Sequence, residues 1–395
     1  MALQHPRNLL YSTSARLGGG GLDAVVLESL RAAEAGGFLG QAIAFGAKHP
    51  AVSKGRFRSL RWHPVRLLSG VGSEYYYGAK KHVADRSAAR ELVRAAAAGV
   101  PYDLFHTWSG ECLHALREAR RLGIPSILEI PTWHRHKGKE KPLRLTKSER
   151  ERAAARGWQG WKNRLLISRQ QVLEEYELAD LILCLSAKAE ETFLAAGVPS
   201  SKLFRHQRGV DIDRFSPSTT PSEKFRVVFV GALIKRKGVH HLLEVWRRLG
   251  LKDAELILAG SRHEEIEPWL RDAPSSVRVL GFVPKVEEVY RSATVHVFPS
   301  TCEGSAKSTY EAAACGLPQI TTRESGDVVL DGVNGIIIPA EEPDALAAAI
   351  ERLHADRDLC ARLGAAGRAR VAENFTWDHF RRRLLEAYDR VLSRS

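Results

Sequence analysis

The 395-residue sequence is poor in cysteine, and its five, Cys112, Cys184, Cys302, Cys315 and Cys360, are scattered without a CxxC pair. An odd, dispersed set argues against a disulfide framework or a thiolate metal site, and points to reduced, mostly buried thiols. No run of about 18 uncharged apolar residues occurs, so no membrane-spanning helix is expected. The opening stretch MALQHPRNLLYSTSARLGGGG has neither an apolar h-region nor a cleavage site, and a cytoplasmic protein is expected. The second half lacks any excess of charge. Residues 217–395 hold 25 Lys+Arg and 25 Asp+Glu, whereas residues 1–216 hold 34 and 21, which is the whole net charge of +13. A basic first half fits either a polyanionic or membrane-surface partner, at the inner membrane face, or a solvated surface.

A hydrophobic content of 44% is enough for real cores, and the length fits two domains. From Phe225 onward short apolar runs (FRVVFVG, AELILAG, VRVLGFV, TVHVFPS, PQITT) alternate with helical periodicity, the pattern of a parallel sheet with crossover helices. NLLYSTS, QAIAFG, YDLFHTW, SILEIP and DLILCLS repeat the theme in the first half, with helices over 22–35 and 110–122 between them. The expected fold class is α/β, two Rossmann-like doubly wound domains over 1–216 and 217–375, and a final helix over 376–395 returning to the first. Pro217, Pro221 and the surrounding Ser/Thr cluster mark the linker. Ligands of such folds bind at the carboxyl ends of the strands.

The stretch CEGSAKSTYEAAACGLP, Cys302 to Pro318, carries two glutamates eight positions apart. Gly-Ser is turn and cap chemistry, and the run to Cys315 has no breaker before Gly316 and Pro318, so a helix opens near Ser305. Glu303 precedes it and Glu311 lies inside. Gly304, Ser305, Ala306 and Lys307 then form a helix start suited to phosphate, leaving the carboxylates for other work. In FVGALIKRKGV, Gly231 ends a strand, and Lys235, Arg236 and Lys237 precede a helix, cationic groups suited to a diphosphate at a topological switch. The loop RLGGGGLD offers close backbone approach at Gly19 and Gly20 but lacks the third glycine of a dinucleotide fingerprint. Asp211 and Asp213 in VDID have the DxD spacing of a metal site without the apolar strand that such a site needs, and no metal is expected. Trp158, Trp161 and Leu165, at i, i+3 and i+7, share one face of an expected helix bordered by Lys162, Arg164 and Arg169. Packing against its own domain is the favoured reading of that stripe, and a membrane-surface helix is the alternative.

FVGALIKRKGVHHLLEVW, the stretch from RVLGFVPKVEEVY to CGLPQITT, SGDVVLDGVNGIIIP and the closing NFTWDHFRRRLLEAYDRVL resemble family 4 glycosyltransferases of the GT-B fold. The resemblance is dense in the second half and thin in the first. It implies two domains facing a central cleft, no cofactor, and a nucleotide diphosphate sugar as donor, a UDP-sugar foremost. It implies a retaining transfer to a hydroxyl acceptor, glycan or lipid-linked, and no nucleic-acid partner. By the same resemblance Glu303 meets the transferred sugar, Glu311 the ribose and Lys237 the departing diphosphate. Gly19 and Gly20 belong to a loop that closes over the diphosphate. Phe282 and Val283, in GFVPK, belong to the loop lining the base. The family's arginine after the first glycine is replaced by Ala232, and Arg236 is the candidate substitute. His106 and His134, both expected just past strand ends, are candidates for the family's histidine near the reacting centre. A nucleotide-sugar 2-epimerase of the same fold and a silent sugar-nucleotide-binding subunit are the alternatives.

Overall fold

The structure is a computed structural model and describes residues 7–17, 22–46, 52–53, 55–137, 147–219 and 224–394. Gly19 and Gly20 lie outside the described residues. The chain divides into two compact units, Met1–Cys184 with Glu190–His206 and Arg381–Ser395, and Leu185–Ala189 with Gln207–Phe380. Residues 207–216 group with the second unit: Val210 bridges Thr376 in parallel, and Arg368 Nη1 donates to the carbonyls of Ile212, Phe215 and Ala314.

In the first unit, β1 (Leu9–Ser12), β2 (Leu39–Ala44), β3 (Phe57–Ser59), β4 (Leu104–Trp108), β5 (Ser126–Glu129), β6 (Leu181–Cys184) and β7 (Leu203–Arg205) form one parallel sheet. Its order is β3-β2-β1-β4-β5-β6-β7. In the second, β8 (Phe225–Val230), β9 (Ala254–Ala259), β10 (Val277–Gly281), β11 (Val295–Phe298), β12 (Gln319–Thr321) and β13 (Gly335–Ile337) pair in the order β10-β9-β8-β11-β12-β13. In both sheets the strand order reverses beside the first strand, at β1/β4 and β8/β11, the switch point at which such folds bind ligands outside the strands' carboxyl ends.

Period-two alternation explains the two cores of the second unit. Val227 and Phe229 of β8 face Trp246 and Leu353 in one cluster, while Val228 faces Tyr290, Tyr310 and Phe375 in the other. Each such side chain, fully buried, contributes about 1.5–3 kcal/mol.

Two local expectations are corrected. The helix expected over 110–122 spans Leu113–Arg121, because Gly110 has φ +85° and the N–H groups of Gly110 and Cys112 go to the Glu175 carboxylate instead of a helical turn. The Trp158 stripe is not packed into its own domain. Its helix, Gly157–Asn163, is seven residues long and ends before Leu165, whose carbonyl sits against Gly78 so closely that a Cβ there would lie 2.0 Å away. Trp158 and Trp161 are exposed and stacked, with ring centroids 4.6 Å apart and planes at 14°.

Candidate active site

The site begins where β8 ends. Gly231 has φ +152° and Gly260, after β9, has φ +154°, backbone that side-chain-bearing residues rarely adopt. A Cβ on Gly260 would lie 1.8 Å from the Gly231 carbonyl, and one on Gly231 would lie 2.9 Å from Lys237 Nζ. Glycine at 231 therefore leaves room for the Lys237 ammonium over the strand end. Lys237 closes a short 3₁₀ turn, Lys235–Lys237, and Gly238, at φ +72°, heads helix Val239–Leu249. A Cβ on Gly238 would meet the Pro299 carbonyl at 2.1 Å, so the loop after β8 presses on the loop after β11.

Arg236 ties the two loops together. Its carbonyl accepts from Thr301 N, Thr301 Oγ1 and Ser300 Oγ, and its Nη1 donates to Glu303 Oε1 at 2.7 Å and to the Cys302 carbonyl. Lys237 Nζ lies 3.9 Å from the same Glu303 oxygen and 5.2 Å from the Phe298 ring centroid. Burial holds the Lys237 ammonium below the usual lysine value, Glu303 pulls it back up, and Arg236 pushes it down. The Lys237 side chain is thus half-buried, with its carboxylate partner 3.9 Å away.

From Glu303 the chain turns into helix Lys307–Ala314. Ser305 is not its cap: the preceding residue is Ala306, no side chain caps the helix, and the Ser305 hydroxyl bonds Tyr310 Oη at 2.8 Å. Glu303 N and Ala306 N donate to the carbonyls of Glu324 and Ser325, which fixes the turn from a third loop. Gly304, Ser305 and Ala306 are buried, and Lys307 is exposed. Glu311 is only 3% exposed. Its Oε1 lies 2.7 Å from Lys307 Nζ and its Oε2 accepts from Tyr290 Oη at 3.1 Å. The structure thus brings Gly231, Arg236, Lys237, Glu303 and the 304–307 turn together, with Glu311 one helical turn farther in. Phe282, after Gly281, is 83% exposed, and Val283 packs on the core beneath it. Asp211 caps a turn, accepting from Asp213 N and Arg214 N.

Of the two candidate histidines, His106 is not past a strand end and His134 is, but both are buried. His106 lies within β4 and is fully buried, with Nδ1 2.8 Å from Tyr388 Oη and Nε2 3.0 Å from Glu129 Oε1. Both ring nitrogens are occupied by the protein. His134 does follow β5, but it is 4% exposed, with Nδ1 accepting from His136 N and its ring among Tyr176, Phe193 and His136. Burial, and the neighbouring His136, push its pKa down to about 4. Sequence reasoning missed Tyr290, Tyr310, Gly238 and Gly260. The glycines were visible as residues following strand or turn, whereas the tyrosines carry no local signal.

Residues 19–214 match the profile described as Glycosyltransferase Family 4, and residues 224–356 match that of Glycosyl transferases group 1. The chain belongs to glycosyltransferase family 4. Among curated members it is 32% identical over 185 residues to alpha-maltose-1-phosphate synthase of Mycolicibacterium smegmatis, a match covering 42% of this chain and 48% of that protein. It is 29% identical over 324 residues to the D-inositol 3-phosphate glycosyltransferase of Thermobifida fusca, covering 73% and 70%. The chain thus spans about half the length of the first of these family members. The family fold, GT-B, is shared with sucrose-phosphate synthase from Thermosynechococcus elongatus at TM-score 0.69 and 19% identity, covering 99% and 100% of the two chains. It is shared also with HepE from Anabaena, solved with UDP-glucose, at TM-score 0.65 and 17% identity over 97% and 99%.

Proposed function

We propose that the protein is a retaining glycosyltransferase that moves a sugar from a nucleotide diphosphate sugar, a UDP-sugar, to a hydroxyl of a glycan or lipid-linked acceptor. The observation that carries this reading is the convergence of the half-buried Lys237 ammonium and the uncapped start of helix Lys307–Ala314 beside a single carboxylate, Glu303. Backbone N–H groups and a cation suit a diphosphate, and the carboxylate at their edge suits sugar hydroxyls. The likeness to HepE, whose structure holds UDP-glucose, supports the donor class.

In this reading the sugar C1–O bond to the diphosphate breaks while the acceptor oxygen approaches the same face, and the departing phosphate oxygen takes the acceptor proton. Lys237 and the helix start stabilise the charge that grows on the leaving group, which is electrostatic catalysis without a covalent nucleophile. Arg236 is paired with Glu303. Binding of the donor exchanges that ion pair for guanidinium–phosphate and carboxylate–hydroxyl contacts, and in this way Arg236 replaces the arginine missing at Ala232.

Calorimetry with UDP on two variants tests the assignment. Glu303→Ala should keep UDP affinity within about threefold, since it removes a sugar contact and frees Arg236. Glu311→Ala should lose about tenfold or more, the worth of a charge-assisted hydrogen bond. Equal losses would sink the assignment, and an inverted anomeric configuration in the product, read by NMR, would sink the retaining mechanism.

A further inference from the structure

We propose that the second unit binds a small organic phosphate in a cavity at the amino ends of β11 and β12. The donor chemistry plays no part in it, since Lys237, Glu303 and the start of helix Lys307–Ala314 lie beyond the carboxyl ends of the same sheet.

The cavity holds about 470 Å³, within the range of about 300–1,000 Å³ usual for small-molecule sites. Its walls include Ala293 before β11, Leu317 and Pro318 before β12, and Arg357, Cys360 and Ala361 on helix Arg357–Asn374. The last three, at i, i+3 and i+4, share one face of their helix, and Gly364 continues it. A Cβ on Gly364 would lie 2.1 Å from the Gly316 carbonyl, and one on Gly316 would lie 3.3 Å from Pro217 Cγ. Close contact on both flanks of the 315–318 turn sets the positions of the walls, so the space between them belongs to the fold.

Two guanidinium groups meet at this cavity. Arg291 ends helix Val286–Arg291, and its Nε donates to the Ser216 carbonyl at 3.2 Å while its Nη2 donates to the Arg214 carbonyl at 2.7 Å and to Ser216 Oγ at 3.2 Å. Nη1 takes part in none of these bonds. Among the described residues no carboxylate forms an ion pair with Arg291, because Glu287, one turn back, is taken by Arg214 Nη2 at 2.9 Å. Arg357 stands at the first position of its helix, where the macrodipole disfavours a cation. Its guanidinium carbon lies 5.4 Å from the Phe225 ring centroid, and its Nη1 donates to Thr294 Oγ1 at 3.3 Å. Of the two acids beside it, Asp356 accepts from Leu359 N at 2.8 Å as the helix cap, and Asp358 follows in the first turn.

The two parts of this lining select the ligand between them. An inorganic anion would satisfy the arginines and leave Leu317, Pro318 and Ala293 in water, and a neutral apolar molecule would do the reverse. A phosphate monoester takes both, its dianionic head matching two guanidinium forks and its organic part covering the apolar floor. The two thiols of the wall, Cys315 and Cys360, bring no competing charge: burial pushes their pKa values up to about 12 and about 11.

Ligand-observed NMR of phenyl phosphate titrated with the full chain tests the proposal. One site with a Kd of about 1 mM or tighter is expected. It should be unchanged within about threefold by saturating UDP or by Lys237→Ala, the two sites being far apart. Inorganic phosphate, benzoate and benzyl alcohol, each lacking part of the probe, should bind about tenfold more weakly. Arg357→Gln should weaken phenyl phosphate about tenfold, the worth of a charge-assisted hydrogen bond. Ala361→Trp, at an exposed helix position on the rim, should fill the cavity and abolish the titration while the thermal midpoint holds. Should Arg357→Gln unfold, Ala361→Trp carries the test alone. No broadening of the phenyl phosphate signals, or the same broadening with both variants, would overturn the proposal. Inorganic phosphate or benzyl alcohol binding as tightly as the ester would overturn the ligand class, and displacement by UDP would place the probe in the donor site instead.

Discussion

Two helix starts hold the same place in the two sheets, and their treatment is opposite. Helix Leu113–Arg121 follows β4, the strand beside β1, and helix Lys307–Ala314 follows β11, the strand beside β8. In the first unit the protein has already filled the anion position. Asp85 accepts from His114 N and Ala115 N, Glu175 accepts from Gly110 N and Cys112 N, and Glu111 takes Ser14 N. In the second unit no side chain caps the helix, and the neighbouring charges are Lys237 and Arg236 with the Glu303 carboxylate they share. The same topology yields a closed, carboxylate-braced strand end in one unit and an open, cationic one in the other.

The largest effect expected from this contrast lies in acid. Burial pushes the His296 pKa down to about 4, so the unfolded chain takes up a proton below about 6.5 that the folded unit refuses. The stability this represents is complete above pH 6.5 and lost as pH falls toward 4, up to about 3 kcal/mol. His134 acts the same way in the first unit, but there Glu175, pushed up to about 7 by burial, acts oppositely, its folded form keeping a proton that the unfolded chain releases above about 4.5. Between pH 6.5 and 4.5 the two offset, and the second unit should lead acid unfolding. Scanning calorimetry of wild type and His296→Asn checks this, and a first unit that melts ahead in both breaks the comparison. Next comes Lys237→Ala, expected to lower turnover by about ten- to hundredfold, the worth of a charge-assisted contact to a leaving group, with the thermal midpoint held. Unchanged steady-state kinetics would remove the cationic side of the contrast. Smallest is Asp85→Ala, which should cost about 1–2 kcal/mol of stability as a lost cap while UDP affinity stays level. Urea unfolding and calorimetry read both quantities, and a fall in UDP affinity would show that the braced end also serves the donor.

What the sequence disclosed follows the range of each interaction. Every strand buried on both sides was legible as an apolar run. The three that were not, β3, β7 and β13, are three-residue strands at sheet edges, too short and too half-wet to leave a pattern. The places of Lys237, Glu303 and Glu311 were legible because a strand end, a turn and a helix each set one of them within a few residues, while the roles expected of them came from the family resemblance. The Asp85 and Glu175 braces were not, since their partners lie 29 and 65 residues away. His106 misled for a related reason: the run YDLFHTW gives the strand but not its end, and β4 continues through Trp108, which seals the imidazole between Glu129 and Tyr388.

The stacked pair Trp158 and Trp161 makes the protein its own optical instrument. Two nearly parallel indoles 4.6 Å apart couple their excited states. With the transition moments skewed within those planes, that coupling splits their absorption into a pair of circular-dichroism bands of opposite sign, a signature that isolated tryptophans do not give. Anything that pries the rings apart erases the splitting, so rearrangement of this one short helix can be followed in unlabelled material, in real time and at micromolar concentration.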